Sequence, residues 1–267
     1  MTPLVSAIIL NYRTGRDAWK CANALLKQTV ADRIELFIVD NHSDDDSMGY
    51  LRNRIRASHA PIRIFETSRN IGYGRGNNFG VRSAQGEFIL IINPDNELEP
   101  TGLERMVKKM EDEPDIGILA PQLVHEDGTV RDSYRTFPTL LDLFIKRTPL
   151  RSLFPGRMKR YLQHGMSPSV TREVDWVAGA CFLMRTSFYR ELGGFDPRFF
   201  LFFEDTDLCR RSKQAGRRVL YFPEVRAQDR KHRLSEGGVM TLLTKKTARI
   251  HVLSALKYFW KWRMASY

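Results

Sequence analysis

Cysteine is scarce in this chain, and long apolar runs are missing. The 267 residues include three cysteines, Cys21, Cys181 and Cys209, which lie far apart and form no C-x-x-C pair. This pattern argues against a disulfide scaffold or a cysteine zinc site and favours reduced thiols that pack in the core. No eighteen consecutive apolar residues occur, and the first ten residues lack the basic start and the cleavage site of a signal peptide. We therefore expect a cytoplasmic protein.

Two common phosphate-binding signatures are also absent. The first predicted strand, Val5–Leu10, continues into N-Y-R-T-G rather than G-x-G-x-x-G, and no G-K-[ST] occurs anywhere. Dehydrogenases and P-loop enzymes are therefore disfavoured. A nucleotidyltransferase that makes nucleotide sugars would need a basic glycine-rich loop at the same position, and the sequence does not have one there.

Positive charge is abundant but unevenly distributed. Residues 131–172 carry nine basic and two acidic groups, and residues 226–267 carry ten and two, within a net charge of +11. The second segment contains Y-F-W-K-W-R at 258–263, a mixture suited to the headgroups of an anionic bilayer. A helix packed on the domain with a solvated basic side explains the same residues equally well. Nucleic-acid binding is a further interpretation of the charge, but no motif supports it.

Short apolar runs alternate with helical stretches, which predicts an α/β fold with a mostly parallel sheet covered by helices on both faces. Strands are predicted at Val5–Leu10, Ile34–Asp40, Ile62–Glu66, Phe88–Asn93, Ile116–Ala120, Ala180–Arg185 and Val219–Phe222. Helices are predicted at 17–28, 47–57, 77–84, 101–112, 140–146 and 204–215. Residues 127–172 interrupt the alternation and are rich in proline and arginine, which is typical of a functional insertion.

Polar residues follow three of the predicted strands. Asn11 follows the first strand, Asp40 ends the second, and Asn93-Pro94-Asp95 follows the fourth. Ligands of such sheets bind at the carboxyl ends of the strands, so these residues predict one site. A carboxylate there can hold Mg²⁺ or Mn²⁺ together with substrate phosphates. A turn or a helix cap is the alternative role for Asp40 and for Asp95.

A glycine-rich run, N-I-G-Y-G-R-G-N-N at 70–78, lies between the third strand and a predicted helix. Glycines at such a position let backbone N–H groups approach a phosphate at the helix start. A tight loop that needs positive φ is the alternative interpretation.

An acidic cluster follows five consecutive apolar residues, Phe199–Phe203. Its members are Glu204, Asp205 and Asp207. Like charges beside an apolar wall raise the pKa of one carboxyl group, which suits a general base. A helix start with acidic residues in its first turn fits the same sequence equally well.

Taken together, these motifs resemble the family 2 glycosyltransferases, inverting enzymes with the GT-A nucleotide-sugar fold. The resemblance runs from Val5 to about Ser235 and rests on the order and spacing of several segments. These are V-S-A-I-I-L-N-Y at 5–12, V-D-N-H-S-D-D at 39–45, N-I-G-Y-G-R-G-N-N-F-G at 70–80, I-N-P-D at 92–95, G-A-C-F-L-M-R at 179–185 and G-G-F-D-P-R-F-F-L-F-F-E-D-T-D-L-C-R-R at 193–211. The N-P-D and F-F-E-D-x-D-L forms look most like the rhamnosyltransferase-type members of bacterial polysaccharide assembly.

The resemblance implies a division of the chain and a role for each candidate residue. It implies a GT-A Rossmann-like domain over residues 1–235, with a variable acceptor-side insertion at 127–172, and a basic aromatic helical segment at 236–267. Asp205 matches the catalytic base, and Asp95 matches the last Asp of the D-x-D metal motif, whose first Asp is replaced here by Asn93. Residues implied to bind the nucleotide are Asn11, Asp40, Gly72, Gly76 and Asn78, and those beside the donor sugar and acceptor are Trp176, Gly179, Ala180 and Glu204. His232 is the candidate for a late metal ligand.

The implied reaction is inverting transfer of a sugar from a nucleoside diphosphate, with dTDP-rhamnose favoured, in cell-surface polysaccharide synthesis. The implied acceptor is a hydroxyl of a glycan or of a polyprenyl-linked glycan, and the implied cofactor is Mg²⁺ or Mn²⁺. The expected location is cytoplasmic, with peripheral contact at the anionic inner face of the plasma membrane. Two alternatives stay open: an inactive family member that acts as a scaffold, and a nucleotide-sugar-forming nucleotidyltransferase.

Overall fold

The computed structural model describes residues 2–163, 165–229 and 246–263. The strands are β1 (Val5–Asn11), β2 (Ile34–Asp40), β3 (Ile62–Glu66), β4 (Phe88–Ile92), β5 (Asn96–Leu98), β6 (Ile116–Val124), β7 (Tyr134–Arg135), β8 (Arg172–Glu173), β9 (Trp176–Val177), β10 (Cys181–Arg185) and β11 (Arg218–Asp229). The helices are α1 (Gly15–Leu25), α2 (Ser47–Ser58), α3 (Tyr73–Val81), α4 (Gly102–Asp112), α5 (Leu140–Arg147), α6 (Pro155–Tyr161), α7 (Thr186–Glu191), α8 (Glu204–Gln214) and α9 (Lys246–Trp262).

Within these residues the strands form a nine-stranded central sheet of order β3-β2-β1-β4-β10-β6-β11-β5, with β8 paired to β11. Strands β3, β2, β1 and β4 run parallel, as do β6 and β11, whereas β10 is antiparallel to both of its neighbours. Asn11 pairs with Asp40, and Ile92 pairs with Cys181. The ends of β1, β2 and β4 and the start of β10 therefore share one edge, which confirms the mostly parallel α/β sheet.

The sheet is covered on both faces, as the continuous apolar runs in its strands require. Every residue of β1 and β4 is buried. One face packs against α1 and α4 through residues such as Leu25 and Met106. The other packs against α3, α7 and α8 through residues such as Val81, Phe188 and Leu208.

Helix α3 begins at Tyr73 rather than at the predicted residue 77, so most of the glycine-rich run is helical. The glycines allow this helix to lie very close to the sheet. A Cβ atom on Gly76 would lie 2.5 Å from Leu10 Cδ1, and one on Gly80 would lie 2.8 Å from side-chain atoms of Ile8 and Val39. Tertiary packing therefore overrides the low helix propensity of glycine.

The insertion at 127–172 contains its own small elements. Strand β7 pairs with β9 in a separate two-stranded sheet. Helices α5 and α6 pack on each other through Ile145, Met158 and Tyr161. The predicted helix at 140–146 is present as α5, and it starts with a capping box between Thr139 and Asp142.

Helix α9 packs against the segment that precedes α8. Its Ala255, Tyr258 and Trp262 form a buried cluster with Phe199 and Phe203. None of the helices in residues 2–163, 165–229 and 246–263 has the length and hydropathy needed to cross a membrane. The predicted boundary at residue 235 falls in 230–245, outside the described residues, so this division stays a prediction.

Candidate active site

Asn11 and Asp40 form a buried pair where β1 and β2 end. The Asn11 Nδ2 donates to Asp40 Oδ1 at 2.6 Å, and its Oδ1 accepts from the backbone N of Thr14 at 3.1 Å. Asp40 also accepts from the backbone N and the Oγ of Ser43, at 2.9 and 2.6 Å. The pair therefore connects the loops after two neighbouring strands into one rigid wall of the site.

Asn41 connects this wall to the start of α3. Its Oδ1 accepts from the backbone N of Ile71 at 2.9 Å, and its Nδ2 lies 3.3 Å from the carbonyl oxygen of Gly72. Gly72 has φ +89°, and a Cβ there would lie 2.4 Å from the carbonyl oxygen of Phe200. Glycine is therefore required at this position. The backbone N of Tyr73 donates to the same Phe200 oxygen at 2.8 Å, so this N–H is directed at the protein rather than at a phosphate.

Tyr73 connects the glycine run to the end of β4 and to the start of β10. Its hydroxyl lies 2.9 Å from Asn93 Oδ1 and 2.5 Å from the carbonyl oxygen of Gly179. Burial raises the pKa of Tyr73 well above the ordinary value, and the charges of Glu204 and Asp205 act in the same direction. The hydroxyl therefore stays protonated and donates to these oxygens.

Asp205 lies half-buried in the first turn of α8. Its Oδ2 accepts from the backbone N of Gly179 at 3.0 Å, and its Oδ1 accepts from the backbone N of Thr206 at 2.6 Å. Burial raises the pKa of Asp205, while these hydrogen bonds oppose the rise. A carboxylate with a raised pKa is more basic, and this one is held in a fixed orientation, as a general base requires.

Glu204 precedes Asp205 but has a different environment. Its side chain is 5% exposed, and its Oε2 has no hydrogen-bond partner among the described residues. Burial raises the pKa of Glu204 well above the ordinary value, and the charge of Asp205 raises it further. The two adjacent acids are therefore distinguished by their surroundings, with Glu204 favoured as the neutral acid and Asp205 as the base.

Asp207 is fully buried and fully paired. It accepts from Arg211 Nε at 2.8 Å, from Trp262 Nε1 at 3.0 Å and from Lys261 Nζ at 2.6 Å. These three donors use both carboxylate oxygens and neutralise the charge. Asp207 therefore has a structural role, and it attaches the C-terminal end of α9 to the helix that carries Asp205.

The residues before Asp205 have an unusual backbone. Phe202 and Phe203 have φ values of +70° and +68°, a region that costs a bulky residue about 1–3 kcal/mol. Helix α9 supports this conformation. The ring of His251 lies 5.0 Å from Phe202 and 5.2 Å from Phe203, and Ser254 Oγ donates to the carbonyl oxygen of Leu201 at 2.8 Å. Non-glycine residues with positive φ cluster at functional sites, which fits the position of this loop.

Gly76 and Asn78 have protein partners that account for their residue types without a ligand. Gly76 is pressed against Leu10, as described above. Asn78 Nδ2 donates to the carbonyl oxygen of Phe195 at 2.7 Å, and its Oδ1 accepts from the backbone N of Phe195 at 2.9 Å and from the Tyr189 hydroxyl at 2.6 Å. In the structure these groups are directed into the protein and pack α3, and the expected nucleotide contacts of Gly76 and Asn78 stay a prediction.

Trp176, Gly179 and Ala180 lead into β10 beside Asp205. A Cβ on Gly179 would lie 3.1 Å from the Cβ of Asp205, so glycine lets Asp205 approach the strand. The Ala180 carbonyl oxygen accepts from the backbone N of Asn93 at 2.7 Å. Trp176 is half-buried, and its Nε1 donates to the carbonyl oxygen of Thr136 at 3.1 Å, which joins the insertion to this side of the site.

Asp95 lies half-buried after β4, near a second acid. Burial raises the pKa of Asp95, and the charge of Asp229 contributes to the rise. Asp229 itself is 1% exposed and accepts from Arg131 Nη1 at 2.5 Å and from Asn96 Nδ2 at 2.9 Å. Asp229 is therefore engaged by the protein, whereas the side-chain contact that Asp95 makes among the described residues is a long one of 3.3 Å from Asn96.

The donor set fits a divalent ion that is held mainly by substrate. Among the described residues no group of three His, Cys, Asp or Glu side chains is arranged to hold a metal. Asn93 Oδ1 accepts from Tyr73 and is directed away from such a role. One carboxylate, Asp95, is nevertheless enough for Mg²⁺ or Mn²⁺ when a diphosphate supplies further oxygens. The predicted ligand His232 lies outside the described residues.

Sequence reasoning missed several residues that organise the site. Tyr73 was part of the glycine run, and a single tyrosine among glycines at a helix start is a signal that could have singled it out. Asn41 follows the identified Asp40 and holds the next segment. Lys261 and Trp262 belong to the Y-F-W-K-W-R run, but that run does not indicate their partner Asp207, which is more than fifty residues away in sequence.

Comparison with known proteins identifies the family of the chain. Residues 6–193 match the family model for "Glycosyl transferase family 2". The chain is 27% identical over 244 residues to N-acetylglucosaminyl-diphospho-decaprenol L-rhamnosyltransferase of Mycobacterium tuberculosis, with 84% of this chain and 75% of that protein covered. It is 30% identical over 203 residues to rhamnosyltransferase WbbL of Escherichia coli K12, with 73% and 72% covered.

Solved structures agree on the fold. The chain superposes on a crystal structure of GalNAc-T7 with UDP, GalNAc and Mn²⁺ with a TM-score of 0.66 and 17% identity, over 89% of this chain and 45% of that one. A second match is Staphylococcus aureus TarS 1–349, with a TM-score of 0.57 and 16% identity, over 84% and 60%. The expected GT-A architecture is thus confirmed. With the family model matching well over half of its length, the chain belongs to glycosyltransferase family 2 and is of the rhamnosyltransferase type.

Proposed function

We propose that this glycosyltransferase moves a sugar, with dTDP-rhamnose the favoured donor, onto a hydroxyl of a glycan or lipid-linked glycan in cell-surface polysaccharide synthesis. The names of the two rhamnosyltransferases support the donor sugar. The name of the mycobacterial relative supports a polyprenyl-diphosphate-linked acceptor. The single observation that carries the proposal is the environment of Asp205, a half-buried carboxylate with a raised pKa held by the backbone of Gly179.

Asp205 acts as the base in a single inverting displacement. It accepts the proton of the acceptor hydroxyl while that oxygen attacks the anomeric carbon from the face opposite the leaving diphosphate. The hydrogen bonds from Gly179 and Thr206 orient its carboxylate for this transfer. Glu204 stays protonated and reduces the negative charge beside the departing phosphates.

Asn11 and Asp40 hold the nucleobase end of the donor. Their buried pair provides fixed polar groups at the ends of β1 and β2, where ligands of such sheets bind. Gly72 directly precedes Tyr73, and Asn41, the residue after Asp40, contacts its carbonyl oxygen. Gly72 therefore connects the Asn11–Asp40 pair to Tyr73. Trp176, Gly179, Ala180 and Glu204 border the donor sugar and the acceptor on the other side of Tyr73.

Asp95 would hold Mg²⁺ or Mn²⁺ together with the donor diphosphate. The ion supplies electrostatic stabilisation of the leaving phosphates when it is bound. GalNAc-T7, whose structure matches the fold of this chain, was crystallised with Mn²⁺ and UDP, which supports divalent metal use. The residues of this chain contribute a half-buried carboxylate whose raised pKa makes metal binding weaken as the pH falls.

The proposed acceptor side comprises the insertion at 127–172 and the basic C-terminal segment at 236–267. Their excess of basic groups fits a phosphate-bearing lipid-linked acceptor at the anionic inner face of the plasma membrane. The protein would then work as a cytoplasmic enzyme in peripheral contact with the bilayer.

A thermal-shift and transfer panel tests this function. The donors are dTDP-rhamnose, UDP-glucose, UDP-galactose, UDP-N-acetylglucosamine and GDP-mannose, each with Mg²⁺, with Mn²⁺ and with chelator. A bound donor at a hundredfold excess over its Kd stabilises the native state by about 2.7 kcal/mol, so dTDP-rhamnose with metal should give the largest shift. The anomeric configuration of the product, read by NMR, should be inverted relative to the donor.

Three results would contradict the proposal or part of it. Donor binding without transfer to any glycan acceptor would favour the inactive scaffold, the second function that the sequence leaves open. Equal thermal shifts with metal and with chelator would show that donor binding does not need the metal. Formation of a nucleotide sugar from a sugar phosphate would favour the nucleotidyltransferase, an activity for which the family match gives no support.

A further inference from the structure

Helix α9 has two faces that carry apolar side chains. The inner face, with Ala255, Tyr258 and Trp262, is buried against the domain. The outer face is a stripe of exposed residues with alternating spacings of three and four. The stripe consists of Lys246, Arg249, Leu253, Leu256, Trp260 and Arg263.

The outer stripe combines large apolar side chains with cations. Leu253 and Leu256 are each 57% exposed, and Trp260 is 63% exposed. The cations Lys246, Arg249 and Arg263 lie at its two ends, and no carboxylate occurs in α9. The Arg263 guanidinium lies 5.1 Å from the centre of the Trp260 ring. An apolar centre with cationic ends is the composition of a helix that lies in the headgroup layer of an anionic bilayer.

Helix α5 carries further exposed apolar side chains and packs on the same buried cluster as α9. Leu143 of α5 packs against the buried cluster that α9 forms with Phe199 and Phe203, so the two helices are neighbours. Leu140, Leu141 and Phe144 of α5 are 59%, 49% and 58% exposed. Single exposed apolar residues are ordinary, but several large ones on two adjacent helices indicate an interaction surface.

We propose that α5 and the outer stripe of α9 form a docking surface for an anionic lipid bilayer. The charge distribution selects this occupant. A second copy of the chain that used the same stripe would bring cations against cations, and α9 has no carboxylates to pair with them. Phosphate headgroups neutralise those cations, while the apolar side chains enter the interfacial layer.

The position of the docking surface gives it a role in the proposed function, on which this inference rests. The inner face of α9 holds the segment 199–203, which leads directly into Glu204 and Asp205. A bilayer bound to the outer stripe would therefore be separated from the segment that leads into Asp205 by the thickness of α9 alone. A sugar attached to a polyprenyl diphosphate would then reach Asp205 without leaving the membrane surface.

Vesicle sedimentation tests the docking surface. The full chain should bind vesicles of phosphatidylcholine mixed with phosphatidylglycerol, and added salt or omission of phosphatidylglycerol should weaken this binding. The double variant Leu256→Ser with Trp260→Ser should bind at least about tenfold more weakly. The double variant Lys246→Gln with Arg249→Gln should lose most of the salt-dependent part of the vesicle binding. The matched control is Arg52→Gln with Arg54→Gln, which removes two exposed cations of α2, outside the insertion and the C-terminal segment.

Transfer to a water-soluble acceptor separates this inference from the proposed function. The Leu256→Ser, Trp260→Ser variant should keep wild-type transfer to such an acceptor and lose transfer to acceptor in vesicles. Equal vesicle binding by the wild type and this variant would overturn the docking surface while leaving the function intact. If the wild type sediments as a dimer and this variant as a monomer, the surface binds a second copy of the chain, and the proposed bilayer docking surface is overturned. Vesicle binding without any transfer would instead count against the function.

Discussion

The two sides of the candidate site are built in different ways. The donor side, Asn11 with Asp40, consists of polar residues at the ends of paired strands, and its hydrogen bonds join neighbouring loops. The proposed base side, Glu204 with Asp205, follows two residues with positive φ and depends on a helix near the C-terminus. The donor side is therefore a product of sheet register, whereas the base side is held by contacts between distant parts of the chain.

The largest effect should come from removing the base. Asp205→Asn keeps the size of the side chain but removes proton acceptance, so turnover should fall about 10²–10⁴-fold. Donor affinity should change little. The wild-type rate should also fall on the acid side at a pH above the ordinary pKa of an aspartate, because burial raises the pKa of Asp205 and the base must be ionised. Steady-state kinetics across pH checks both statements.

Asp17→Asn is the control for this change, since Asp17 is an acidic residue in the first turn of another helix. Wild-type turnover in Asp205→Asn would show that Asp205 only stabilises the start of α8.

The next effect concerns the attachment of α9. Asp207→Ala removes the buried partner of Arg211, while Lys261 keeps its pair with Asp196, and breaking a buried pair costs about 3–5 kcal/mol. The melting temperature should fall by about 6 °C or more for a chain of this size. Asp44→Ala breaks an exposed pair with Arg13 and should leave it unchanged. Equal melting temperatures of Asp207→Ala and Asp44→Ala would show that Asp207 does not hold α9. The difference drawn above between the sheet-built side and the side held by distant contacts would then lose its support.

On the donor side, Asp40→Ala should affect binding rather than chemistry. Loss of a hydrogen bond to a charged group costs about 1.5–3 kcal/mol, so donor affinity should fall about tenfold to a hundredfold. The expected pattern is a raised KM with a smaller change in kcat. Asp46→Ala, an exposed residue of the same loop, is the control. A reduced kcat with an unchanged KM would show that Asp40 affects the chemical step rather than donor binding.

The smallest effect is a gain in stability. Because burial raises the pKa of Glu204 in the folded state, ionisation of this group opposes folding as the pH rises above about 4.3, the value for an unfolded glutamate. Glu204→Gln removes that penalty and should stabilise the fold by about 1 kcal/mol at neutral pH. The gain should vanish in acid, where Glu204 is neutral. A melting-temperature difference that is independent of pH would contradict this origin.

Strand ends were the part of the site that sequence patterns predicted well. Asn11, Asp40 and Asp95 follow apolar runs whose ends meet at one edge of a parallel sheet, and β2 and β3 have the predicted boundaries. The glycine run was harder to interpret, because glycine has a low helix propensity. Its residues at 74, 76 and 80 are small so that α3 can approach neighbouring side chains, a reason that only the packed structure reveals.

The sequence by itself determined the fold class, the family and the edge of the sheet where the candidate residues lie, because apolar periodicity and motif order are local properties. Tertiary structure decided among the three acids after Phe203. Asp207 is neutralised by α9, Glu204 is buried without a partner for its Oε2 among the described residues, and Asp205 is held by Gly179. A carboxyl group's role depends on its burial and its partners, and those partners come from segments that only folding brings together.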